Sequence, residues 1–170
     1  MNNTIRHIFA VLLIALISLA VQQDSRTDIQ SAVRDIQSSL RKSMEGLKYD
    51  GSKVTYFETV NQVQYKEVEV ILFLRENNHL FFNGDLAPGR VSLKIYDGPA
   101  NDPNRLVLFE ARNIANRTVK VTEQELIDRL HFYDPNPKRL RSVYVDYEIS
   151  RSRREERGAI VMAIGYENNK

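Results

Sequence analysis

Two pairs of carboxylates stand at a spacing that could do acid–base chemistry, Glu67 with Glu69 and Asp146 with Glu148. Residues two apart on a strand share one face with Cα atoms about 6.6 Å apart, close to the separations that glycosidic hydrolysis uses for its acid and base. Any solvated strand of alternating pattern yields the same arrangement. A periplasmic hydrolase built on either pair therefore requires a concave cleft around it.

A second constellation is Arg151-Ser152-Arg153-Arg154-Glu155-Glu156-Arg157. A guanidinium grips a carboxylate or phosphate through two parallel hydrogen bonds. Arg151, Arg153, Arg154 and Arg157 are thus candidates for binding an acidic protein surface, a lipid headgroup or another acidic envelope component, with Glu155 and Glu156 offsetting part of the field. Tyr144, on an expected solvent face beside Ser142 and Asp146, is a further contact candidate.

Other chemistries find few residues to carry them. The chain has no cysteine, which excludes a thiol nucleophile, a zinc–thiolate site and an iron–sulfur site. Of three histidines, His7 precedes an apolar run, His79 closes the turn-like stretch Glu76–His79, and His131 lies three residues before Asp134 at an expected helix end. The loop Asp97–Asn104 offers oxygen ligands but lacks the acidic spacing of a helix–loop–helix calcium site. No glycine-rich turn leads from a strand into a helix to cradle a phosphate. No cofactor and no metal is expected. Twenty-four basic against 22 acidic residues, a net charge of +2, supplies no field for nucleic acid. Asn116-Arg117-Thr118 matches an N-glycosylation acceptor pattern.

The elements that must position these residues begin with the apolar run Ile8–Val21, fourteen residues with Ser18 alone polar. As a helix it is about 21 Å long, short against a hydrocarbon core of roughly 30 Å. Residues 1–20 read as a signal peptide cleaved after Ala20, or as a retained anchor over residues 5–21 with Arg6 at its cytoplasmic end. Both place the remainder in the periplasm or outside the cell, with the inner membrane as the anchor's place.

Residues 21–50 form an amphipathic helix or stalk. From Asp24 to Lys48, Ile29, Val33, Ile36, Leu40, Met44 and Leu47 fall at intervals of three and four, a single stripe along a helix. That stripe packs on the sheet that follows or meets the same stripe of another subunit as a short coiled coil.

From residue 51 to 170 the period becomes two, predicting an extracytoplasmic β-rich domain. Strands are expected over Val54–Val60, Val63–Arg75, Leu80–Phe82, Val91–Tyr96, Leu106–Glu110, Thr118–Val121, Arg141–Ser150 and Gly158–Tyr166. The second should be central in its last half, because Ile71–Leu74 is apolar on both faces. The last two should form a hairpin with the arginine run at its tip. Thr122 and Glu125 predict a capped helix with Leu126, Ile127 and Leu130 buried, ending before Asp134-Pro135.

The expected fold class is α+β: an apolar segment, a long amphipathic helix, then a mostly antiparallel β domain, sandwich-like or a curved sheet, with one short helix. An apolar helix, an amphipathic extension and a sheet domain in this order resemble pilin architecture in topology. Type IV pilins carry glycine before a phenylalanine and a glutamate four residues on, whereas here Ile8 precedes Phe9 and Leu13 takes the glutamate's place. The functional expectation is a non-enzymatic binding or assembly component whose partner is a protein or another copy. A membrane-anchored, pilin-like subunit is the alternative.

Overall fold

The computed structural model describes residues 28–72, 77–136 and 140–167. The expected signal or anchor segment lies outside them, as do residues 24–27 of the expected helix. Helix α1 occupies residues 28–43 and α2 Glu123–Tyr133. The strands are β1 (Lys48–Glu58), β2 (Gln64–Ile71), β3 (Asn78–Asn83), β4 (Val91–Tyr96), β5 (Val107–Ala111), β6 (Thr118–Thr122), β7 (Ser142–Ile149) and β8 (Arg157–Tyr166). Among the described residues, no helix is long and apolar enough to cross a membrane.

The strands form two four-stranded antiparallel sheets, β1-β8-β3-β6 (sheet I) and β2-β7-β4-β5 (sheet II). Alternation along β7 and β4 dictates this packing: Val143, Val145, Tyr147 and Ile149 with Val91, Leu93 and Ile95 are buried, while the residues between them are half-exposed. They meet Leu80, Phe82, Ile160, Met162 and Ile164 of sheet I in one core.

Sheet I is buried on its second face too. Phe81, Ala159, Val161 and Ala163 point away from the core and are covered by Val33 and Leu40 of α1 and by Met44 just after it, with Ile29, Ile36 and Leu47 partly buried at the margins. The helical stripe thus lies on the chain's own sheet. Small residues on β8 let the helix approach closely; a Cβ on Gly165 would stand 3.1 Å from the Met44 sulfur. The helix stops earlier than its periodicity predicts, since Gly46 adopts φ +84° and Lys48 already pairs with Tyr166.

Two further expectations are corrected. β2 is an edge strand, not a central one, and Ile71 is 73% exposed; the apolar run continues to Leu72, which is buried, and then leaves the described residues. β7 and β8 are not a hairpin, because β7 lies between β2 and β4 in one sheet and β8 between β1 and β3 in the other. Alternation specifies which face of a strand is buried, not which strand lies beside it.

Helix α2 behaves as its sequence predicts. Thr122 Oγ1 accepts from the Glu125 N–H at 3.2 Å, and Glu125 Oε2 accepts from the Thr122 N–H at 2.7 Å, a complete capping box. Leu126 and Leu130 are buried and Ile127 is partly so.

Candidate interaction site

A sandwich of two open sheets has two lateral sides, and each must deal with unpaired strand edges and exposed core. On the β5–β6 side, α2 packs against β5, β6 and β3 and inserts Leu126 and Leu130 into the core between the sheets. On the β1–β2 side no helix plays that part among the described residues. Instead Lys53, whose register partner Met162 belongs to the core, sends its ammonium across to the Glu69 carbonyl at 2.6 Å.

That open side concentrates exposed apolar surface. Of the six large hydrophobic residues most exposed among those described, Tyr56, Val63, Tyr65 and Ile71 belong to β1, β2 or their connection. A groove of about 630 Å³ runs there, lined by Ile29, Tyr56, Phe57, Val60, Gln64 and Lys66 among others. The remaining two, Phe132 and Tyr133, end α2 and are stacked by Arg129, whose guanidinium carbon lies 5.4 and 5.1 Å from the two rings.

The arginine run is a crossover between the sheets rather than a hairpin tip. It runs beside the β1–β2 crossover and is tied to it through buried Thr59. The Thr59 N–H donates to Glu156 O at 2.9 Å, its hydroxyl donates to Arg154 O at 2.7 Å, and the Ser152 N–H donates to Val60 O at 2.9 Å. Ser150 N–H adds a bond to Arg90 O. Arg157 pairs with Glu58 at 2.9 Å. Arg151, Arg153 and Arg154 are exposed and form no ion pair among the described residues. Tyr144 is not part of this surface; it stands near the other end of β7, half-buried, donating its hydroxyl to Glu69 Oε1 at 3.2 Å.

The strand carboxylates are brought together by a residue that sequence reasoning missed. Glu67 and Asp146 face each other across β2 and β7, and Arg105 bridges them, bonding Glu67 Oε2 at 3.0 Å and Asp146 Oδ2 at 2.7 Å. Its guanidinium also lies 3.7 Å from the centre of the Tyr96 ring. Desolvation works to lower the Arg105 pKa, but the Asp146 hydrogen bond and charge, with Tyr96 and Glu67, outweigh it and raise the value. Arg105 follows a turn-rich loop, and no local spacing marks it as the partner of strands distant in sequence. Asp146 Oδ1 is buried without a hydrogen-bond partner.

The other candidates serve the backbone or each other. Asp97 accepts from the Leu106 N–H and Asp102 from the Asn104 N–H, so the loop's carboxylates cap its own turns. Asp134 accepts from the Asn136 N–H, and His131 is exposed. His79 is not a turn residue but buried in β3, its Nε2 2.9 Å from Glu167 Oε1. Asn78 beside it bonds buried Glu123 through both its backbone N–H and its side-chain amide, at 3.0 and 2.6 Å. Among the described residues, no group of three His, Asp or Glu side chains could hold a metal ion.

No family model matches the chain, and no curated protein matches it. Among solved structures it is similar, at 10% identity and a TM-score of 0.35, to a chain from "Bacillus endospore appendages form a novel family of disulfide-linked pili", with 71% of this chain and 89% of that one covered.

Proposed function

We propose that the protein is a non-enzymatic binding or assembly component, working on the far side of a membrane, that engages a protein partner or another copy of itself through the β1–β2 side of its sandwich. The observation that carries this is the pairing of two adjacent edge strands with four exposed apolar side chains, Tyr56, Val63, Tyr65 and Ile71. An edge strand offers a row of backbone donors and acceptors to an incoming strand, and alternate side chains supply the specificity. Exposed aromatic residues at such an edge are the groups that most often dominate contact energy. The far-side placement comes from the apolar run Ile8–Val21 and its flanking Arg6.

The carboxylates favour this reading over a hydrolase. Glu67 and Asp146 are held by Arg105 as ion-pair acceptors, and Glu69 accepts the Tyr144 hydroxyl, so these groups stabilise the polar face of sheet II.

The chain's lack of cysteine makes the test clean. Single cysteines carrying a photo-crosslinker at Tyr65 or Ile71 should yield adducts in the native host, whereas ones at Glu110 or Arg112 on the opposite edge should not. Adducts confined to Glu110 and Arg112, or none at any of the four, would refute the assignment of the open side.

A further inference from the structure

The arginine crossover and the start of α1 lie at the same end of the sandwich. Asp28, Ile29 and Ala32 line one cavity of about 560 Å³ together with Leu86, Glu155 and Arg157. The chain that leads into Asp28 carries the apolar run ending at Val21. Seven residue steps separate the two positions, about 10 Å if helical and about 25 Å at full extension. Where that run is held in a bilayer, this end of the sandwich is the end turned toward the lipid.

We infer that Arg151, Arg153 and Arg154 form a contact surface for anionic lipid headgroups. The inference rests on the retained-anchor form of the proposed function and adds the orientation of the domain to it.

Three observations support a surface contact here. The backbone of the crossover is fixed by Thr59, by Ser152 and by Arg90 O, and the Arg154 N–H is capped by Ser152 Oγ at 3.1 Å, so the loop needs little ordering to bind. Its three guanidinium groups are exposed without ion pairs among the described residues, while Arg157, the fourth, is spoken for by Glu58. Glu155 lines the cavity beside Asp28, Ile29 and Ala32 of α1, which places the crossover at the end of the sandwich where that helix begins. Guanidinium groups match phosphate oxygens in pairs, and the phosphodiesters of an anionic leaflet present them at high density. Each basic group near such a surface strengthens contact roughly fivefold, on the order of a hundredfold for three before the opposing glutamates are counted.

The test places a fluorophore at Glu156→Cys in the otherwise cysteine-free full chain, reconstituted into phosphatidylcholine vesicles with or without phosphatidylglycerol, each containing a headgroup quencher lipid. Quenching should be several-fold stronger with phosphatidylglycerol, and should fall to the neutral-vesicle level on adding R151A, R153A and R154A or on raising salt. A circular dichroism spectrum and melting curve unchanged by the triple substitution secure that the fold persists. Inserted protein with equal quenching in both vesicles, or with quenching indifferent to the triple substitution, overturns the lipid contact and leaves an acidic protein surface as the partner of these arginines. Failure of the full chain to enter either vesicle overturns the anchored reading itself, and the contact with it.

Discussion

The two lateral sides of the sandwich meet one problem with opposite means. At β5–β6 the gap between the sheets is filled by a whole helix whose apolar face becomes core. At β1–β2 it is bridged by polar side chains, Lys53 to the Glu69 carbonyl and Gln64 to the Glu58 carbonyl, and aromatic and branched side chains remain in water. Both edges would invite pairing if left bare, so the contrast separates a side finished by α2 from one whose apolar side chains stay exposed among the described residues, the side to which the proposed function assigns a partner.

The largest effect should come from attacking the finished side. Leu126→Ala removes a fully buried side chain and leaves a cavity, and should cost about 3 kcal/mol in denaturant unfolding. Tyr65→Ala, at 69% exposure, should change stability by no more than about 0.5 kcal/mol while sharply reducing the edge adducts. A Tyr65→Ala chain as destabilised as Leu126→Ala would erase the distinction between the sides.

A smaller effect, under about 1 kcal/mol, is expected for Lys53→Ala, because an exposed charge contributes little to stability. Its consequence should appear in association instead. An ammonium placed at the rim of a sheet edge discourages indiscriminate pairing, so the alanine chain should sediment as larger species at concentrations where the parent does not. Identical sedimentation would mean that Lys53 guards nothing.

The smallest effect lies at the end of sheet I, where half-exposed Glu167 meets buried His79. The hydrogen bond from His79, then that from Asn77, holds the Glu167 carboxyl below its ordinary value of 4.5. A carboxyl whose pKa is lower folded than unfolded adds stability that is complete above the unfolded value and disappears as pH falls through the folded one. The melting temperature should therefore lose a modest increment on acidification below about pH 4.5, and His79→Phe should shrink it. An acid limb unchanged by that substitution would show that the pair contributes nothing to it.

Much of this architecture was legible in the residues, for reasons that are local. Thr122 and Glu125 announced α2 because a capping box is completed within four residues. The spacing of Val33, Leu40 and Met44 announced a buried helical face, though not what covers it. What escaped was set by distant partners. Asn78 and His79 read as turn residues because the acids that satisfy them, Glu123 and Glu167, lie 45 and 88 residues away. Ile71 read as central because hydrophobicity does not distinguish a covered face from an edge awaiting a cover. The arginine run is exposed, as its composition implies, yet lies on a sheet-to-sheet crossing and not at a hairpin tip, since a seven-residue connector serves both equally.

The strand orders also fix a timetable. β8 sits between β1 and β3, and β7 between β2 and β4, so each sheet acquires the strand that joins β1 or β2 to the rest only from the last thirty or so residues of the described chain. β1 must wait for a partner roughly a hundred positions downstream, a pairing that carries a large loop-closure entropy and forms slowly. Until residues 142–166 have left the ribosome only the β3–β6 and β4–β5 ladders can form, β1 and β2 have no partner strand, and neither four-stranded sheet can close in the nascent polypeptide.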